Sequence, residues 1–201
     1  MRLGNADRVL ALADAMQALV DEFSLAQGRT ACQWFRGWAV ARNGRPHEGH
    51  RLIREAYERN IRLGMSTGTG ASEVLGYAAE ALVLAGDFEG AQCELQQAFQ
   101  VVDALGQRVY LPQLLLLEAA IARGQGRAEA GIAAARRAVE EARTQEAPWL
   151  ELLALVELCE HHDAADDEIQ ALAELVGQLP EAADTAAARR AQSLLANAQR
   201  P

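Results

Sequence analysis

Three glycines constrain this chain more than any other feature. Gly44, Gly86 and Gly126 each interrupt a helical apolar pattern, and they stand 42 and then 40 residues apart. The same order follows each one. Gly44 leads to Gly49, Ile53 and Ala56; Gly86 to Ala91, Leu95 and Ala98; Gly126 to Gly131, Ala135 and Ala138. Leu63-Gly64 and Leu105-Gly106 repeat at the same interval. This is a tandem repeat, and a repeat of this length is one supersecondary unit that must bury its apolar face on a neighbour.

The clearest copy runs from Ser72 to Leu105. Leu75, Ala78, Ala79, Leu82 and Val83 recur at helical spacing, Gly86-Asp87-Phe88 interrupts, and Ala91, Leu95 and Ala98 resume. Two amphipathic helices joined by a tight turn are expected there. The other segments follow suit. Residues 5–22 form an unpaired first helix with Val9, Leu12, Ala13, Met16, Leu19 and Val20 as its stripe. Helix pairs are expected over 25–63, 72–105, 112–143 and 148–179, with a closing helix over 180–197. The fourth pair lacks the turn glycine. The glycines end first helices because glycine accepts the left-handed backbone of a helix stop. Gly49, Ala91 and Gly131 are small so that the helices of a pair can cross closely.

Composition agrees with close-packed helices. Half the residues are apolar but only 5% are aromatic, and alanine and leucine carry most of that load. Pro46, Pro112, Pro148 and Pro180 stand where helices should open. No run of alternating β-branched residues argues for a sheet. The net charge of −9, with arginines scattered among acids and no lysine, argues against a nucleic-acid backbone as partner. No apolar run is long enough to span a membrane, and the N-terminus lacks the pattern of a signal peptide. Cys32, Cys93 and Cys159 read as reduced, small core residues of a cytoplasmic protein.

The small-apolar-alanine ladder resembles tetratricopeptide (TPR) repeats, although the period is nearer forty than the 34 of that family and its usual closing proline is absent. The longer period, with Arg36-Gly37-Trp38-Ala39-Val40, Asn43-Gly44-Arg45-Pro46 and Glu48-Gly49, resembles one subgroup. That subgroup is the C-terminal repeat region of bacterial class III adenylate cyclases and of transcription regulators with a signal-transduction ATPase. Leu179 to Thr185 and Arg189 to Leu195 are similar to its terminal segment. The resemblance implies an all-α, right-handed superhelical solenoid of antiparallel helix pairs, about ten helices in one domain. Nothing similar to the cyclase core or the ATPase phosphate loop is present in the chain.

Several stretches invite chemistry. Gly64 to Gly70 precedes a helix, but a phosphate loop needs Gly-Lys-Ser/Thr; a linker fits better. His47 and His50 are three apart, not the four of a zinc-protease helix, and His161-His162 lies far on; partly buried or solvated histidines are expected. Asp163, Asp166, Asp167 and Glu168 crowd a helix start, where carboxylates favour the positive end of the dipole. Arg51, Arg54, Arg59 and Arg62 are balanced by Glu55 and Glu58 at helical spacing.

Trp34 and Trp38 are the leading functional candidates. In tetratricopeptide-like stacks the first helices line the concave surface; repeat matching aligns Trp34 with Gly76 and Leu116, and Trp38 with Glu80 and Ala120. A groove lined by Trp34, Trp38, Gly76, Tyr77 and Glu80, with Gln113 and Trp149 as secondary members, would hold a peptide or small ligand. The competing reading is that both indoles cover the unpaired first helix as core. Neither catalytic residues nor a metal or cofactor site is expected. The expected function is a non-catalytic protein-interaction or ligand-sensing module of a cytoplasmic bacterial signalling or transcription regulator. A freestanding scaffold that oligomerises and a small-molecule effector receptor are the alternatives.

Overall fold

The computed structural model describes residues 5–64, 70–161, 164–180 and 183–198. Among these it has ten helices and no strand. They are α1 (Ala6–Glu22), α2 (Ala26–Arg42), α3 (Pro46–Arg62), α4 (Ala71–Ala85), α5 (Phe88–Leu105), α6 (Leu111–Gly124), α7 (Ala128–Thr144), α8 (Pro148–His161), α9 (Asp166–Gln178) and α10 (Ala186–Ala198). None is long and apolar enough to cross a membrane.

The turns between paired helices are built alike. After α4, Gly86 takes a left-handed conformation (φ 76°), its N–H donates to the Val83 carbonyl, and Asp87 N–H reaches back to Leu82. The same two bonds recur after α2 at Gly44 and Arg45, and after α6 at Gly126 and Arg127. They satisfy carbonyls that a helix end would otherwise leave bare. The geometry does not require glycine. Ser24 after α1 (φ 55°) and Glu146 after α7 (φ 50°) adopt it too, so the chain carries more of these turns than its glycines advertise. Asp87 then caps α5 by accepting from Gly90 N–H at 2.9 Å.

The chain divides into two compact units, Asn5–Tyr110 and Leu111–Pro201. In the first, each helix packs on its successor from α1 to α5, and α2 also meets α4. Gly37 and Gly49 mark the α2–α3 crossing: a Cβ at Gly49 would lie 2.4 Å from the Gly37 carbonyl oxygen. Ile53, Leu75 and Leu95, with Ala56, Ala78, Ala91 and Ala98, fill the core. Side chains about one repeat apart also meet. Trp38 bonds to Glu80, 42 residues on, and His50 lies 2.9 Å from Glu94, 44 residues on. In this unit α2 therefore lies beside α4, and side chains bridge α3 to α5.

In the second unit α6 packs on α7 and α8, α7 on α8, and α8, α9 and α10 on one another. Its core is leucine-rich, centred on Leu114, Leu115, Leu152, Leu155, Leu158 and Leu172. Arg136 of α7 reaches Glu168 of α9 across 32 residues, and Arg190 of α10 pairs with Glu160 of α8 across 30. The ladder is the same in kind and shorter in period.

Two expectations need correction. The closing helix does not open at Pro180. It begins six residues later, where Thr185 Oγ1 caps its first turn by accepting from Ala188 N–H at 3.2 Å. The cysteines, all free, are not uniformly core: Cys32 is buried, Cys159 half-buried and Cys93 exposed.

Candidate functional site

The most developed side-chain cluster of the first unit lies along the α2–α4 seam. Trp38, in the last turns of α2, is only 3% exposed. Its indole N–H donates to Glu80 Oε2 at 2.8 Å. Arg42, one turn on, holds Glu80 Oε1 at 3.0 Å and stacks its guanidinium 5.4 Å from the Trp38 ring centre. Tyr77 approaches that ring edge to face, centroids 6.5 Å apart, and its hydroxyl donates to Glu73 one turn earlier on α4. Burial, and then the Glu73 carboxylate, push the Tyr77 hydroxyl far above its ordinary pKa, so it stays a donor. The Trp38 N–H, both Glu80 oxygens and the Tyr77 hydroxyl all have partners. The seam is a fixed wall of two rings, a guanidinium and two carboxylates.

Trp34 is less committed. It is half-buried, sits edge to face against Phe35 at 5.9 Å, and packs with Ala6, Val9 and Leu10 of α1 against the Trp38 cluster. The two tryptophans thus differ: Trp38 serves the core, and Trp34 lies at its rim. Gly76 is buried within α4. Glu80 is already engaged by Trp38 and Arg42.

Gln113 and Trp149 belong to the second unit, near the starts of α6 and α8. The Gln113 Oε1 and Trp149 Nε1 atoms are buried with no partner. An orphaned buried donor or acceptor costs about 1–3 kcal/mol. The register between these two helices is set by the Arg123–Glu157 ion pair further along. Counting back at 100° per residue, Gln113 and Trp149 project on the same side of the pair, away from α7. An acceptor and a donor are left there unspent.

The remaining candidates are structural. Glu168 accepts from Ala165 N–H at 2.9 Å and pairs with Arg136, so its carboxylate serves the helix start as expected. Arg51 pairs with Glu55 and Arg54 with Glu58 along α3. His50 faces Glu94, and no group of three metal-ligating side chains occurs among the described residues. The residues from 65 to 69, His162 and Asp163 lie outside the described residues. A hollow of about 240 Å³ in the second unit is lined by Cys159, Ile169, Leu172, Leu194 and Leu195, remote in sequence from either α2 tryptophan.

Sequence reasoning missed Arg42, Glu73 and Glu94. The first two stand one helical turn from Trp38 and Tyr77, a spacing that could have exposed them. Glu94 is 7% exposed and held by His50 and by Arg54 at 3.2 Å; its place inside the Ala91–Leu95–Ala98 stripe was the signal. No protein-family model, curated protein or solved structure matches the chain.

Proposed function

We propose that this chain is a non-catalytic interaction module, a TPR-like right-handed solenoid whose first helices present a concave surface to a protein or peptide. One observation carries the reading: residues about one repeat apart bond to one another, as Trp38 does to Glu80 and His50 to Glu94. That pairing supports successive hairpins laid in register, the arrangement from which such surfaces are made. The satisfied Trp38–Arg42–Glu80 wall supports a rigid platform, not a reacting centre. Trp34, Gln113 and Trp149 are then the groups with contact capacity to spare. Placement in a cytoplasmic bacterial signalling or transcription regulator, coupled to a cyclase or ATPase, is part of the same proposal and rests on resemblance.

The test is selection of binding peptides from a displayed library against the intact chain, then titration of Trp34→Ala, Gln113→Ala and Trp149→Ala. Anchor residues of an interface lose about tenfold or more on truncation. Peptides that bind all three variants as tightly as the parent would remove the first-helix surface from consideration. The hollow beside Cys159 and Leu172 favours, as a second reading, a small apolar effector.

A further inference from the structure

The face of α1 turned away from α2 differs from the outer faces of α3, α5 and α7. The outer faces of α3, α5 and α7 are mainly polar, with Arg51, Glu55, Glu58 and Arg59; Glu89, Gln96, Gln100 and Asp103; Arg136, Arg137 and Glu140 all exposed and small residues such as Cys93 and Ala133 among them. On α1 the exposed outer stripe is Arg8, Ala11, Leu12, Ala15, Ala18, Leu19 and Glu22. These positions recur at three, four and seven and lie opposite the buried Ala13 and Val20. Leu12 is 59% exposed and Leu19 55%.

The charges divide in the same way. Asp7 accepts from Asn43, Asp14 pairs with Arg36, and Asp21 pairs with Arg29 at 3.1 Å, so the acids on the α2 side are all engaged. The Arg8 and Glu22 side chains, of opposite sign and at opposite ends of the bare stripe, pair with no other described residue.

This stripe is complementary to itself when reversed. Turned end for end about Ala15, it sets Arg8 against Glu22, Ala11 against Leu19 and Leu12 against Ala18. Each leucine meets an alanine, which lets two helix axes approach to about 8 Å, and each end gains an ion pair. Side by side in the same direction, Arg8 would face Arg8 and Glu22 face Glu22. We propose that the outer face of α1 is a two-fold, antiparallel interface for a second copy of this chain. One seam of this length is small beside a standard interface, so the dimer forms and dissociates with concentration.

Sedimentation of the intact 201-residue chain from roughly 1 µM to 1 mM tests this, with helicity followed by circular dichroism. A concentration-dependent monomer–dimer equilibrium is expected. Leu19→Lys should abolish it, and since the site is exposed the fold should hold. Arg8→Glu or Glu22→Arg should each weaken the dimer by about tenfold, because two ion pairs become repulsive; the double reversal R8E/E22R should restore it. Ala15→Cys in a Cys93→Ser background should oxidise to a covalent dimer, since position 15 faces its own copy. A monomer at every concentration would overturn the proposal, as would a dimer indifferent to Leu19→Lys. So would a double reversal no better than either single one.

Discussion

Trp38 and Glu80 stand at equivalent places in successive helix pairs, and they are hydrogen-bonded to each other at 2.8 Å. A repeat residue thus reads its own counterpart one unit on. This makes Trp38 a stability residue. Trp38→Ala should cost about 3–5 kcal/mol, as truncation of a buried tryptophan does. Trp38→Phe keeps most of the ring, drops the N–H and should cost roughly 1–3 kcal/mol. Urea unfolding followed by circular dichroism separates the two; a Trp38→Ala protein as stable as its parent would contradict the placement.

Gly49 and Gly177 should respond oppositely to the same change. Gly49→Ala drives a Cβ into the Gly37 carbonyl and Ala41, and such overpacking costs about 1–3 kcal/mol. Gly177, inside α9, has nothing within 4 Å of an added Cβ. Gly177→Ala should stabilise by up to about 1 kcal/mol. Thermal melts of the two variants give the sign directly.

Acid should loosen the second unit first. The Arg136 hydrogen bond holds the Glu168 carboxyl below its ordinary value of 4.5, and the Arg190 hydrogen bond does the same for Glu160. A carboxyl depressed on folding contributes stability that is present above the unfolded value and is lost as pH falls through the folded one. The second unit should therefore lose stability below about pH 4.5. Glu168→Gln and Glu160→Gln should lower stability at neutral pH and flatten that acid limb. Denaturant midpoints from pH 7 down to pH 2 would show it, and parallel curves for parent and variants would count against it.

Thiol labelling should rank the cysteines by environment. Cys93 is exposed, whereas burial pushes the Cys32 and Cys159 thiols up in pKa. Because the thiolate is the reactive form, Cys93 should label first and Cys32 last, as read by mass spectrometry of timed digests. Early modification of Cys32 would require a different packing of α1 on α2.

The helices and most of their limits were legible because their cause is local. Apolar spacing, prolines at first turns and left-handed glycines at Gly44, Gly86 and Gly126 act over a few residues. Close crossing at Gly49 was legible for the same reason. What escaped depends on neighbours. Cys93 lies on the outward arc of α5 and Cys159 on a half-covered one, which periodicity alone did not separate. Trp38 and Trp34 share one helix, yet only contact with α4 makes the first a core residue. The start of α10 turns on a choice between Pro180 and Thr185 as the opening residue, and both are plausible openings. Glu94 stood out within its apolar stripe, but the His50 and Arg54 that make it tolerable there arrive from another helix and left no local mark.

The ladders of the two units differ in stride: side chains meet across 40 to 44 residues in the first and across 30 to 34 in the second. Hairpins from the two halves are therefore not interchangeable parts. A graft from one half into the other, or an extra copy of either, would bring its charged and aromatic rungs to the wrong height, and lengthening this protein by duplication demands that the stride be copied along with the hairpin.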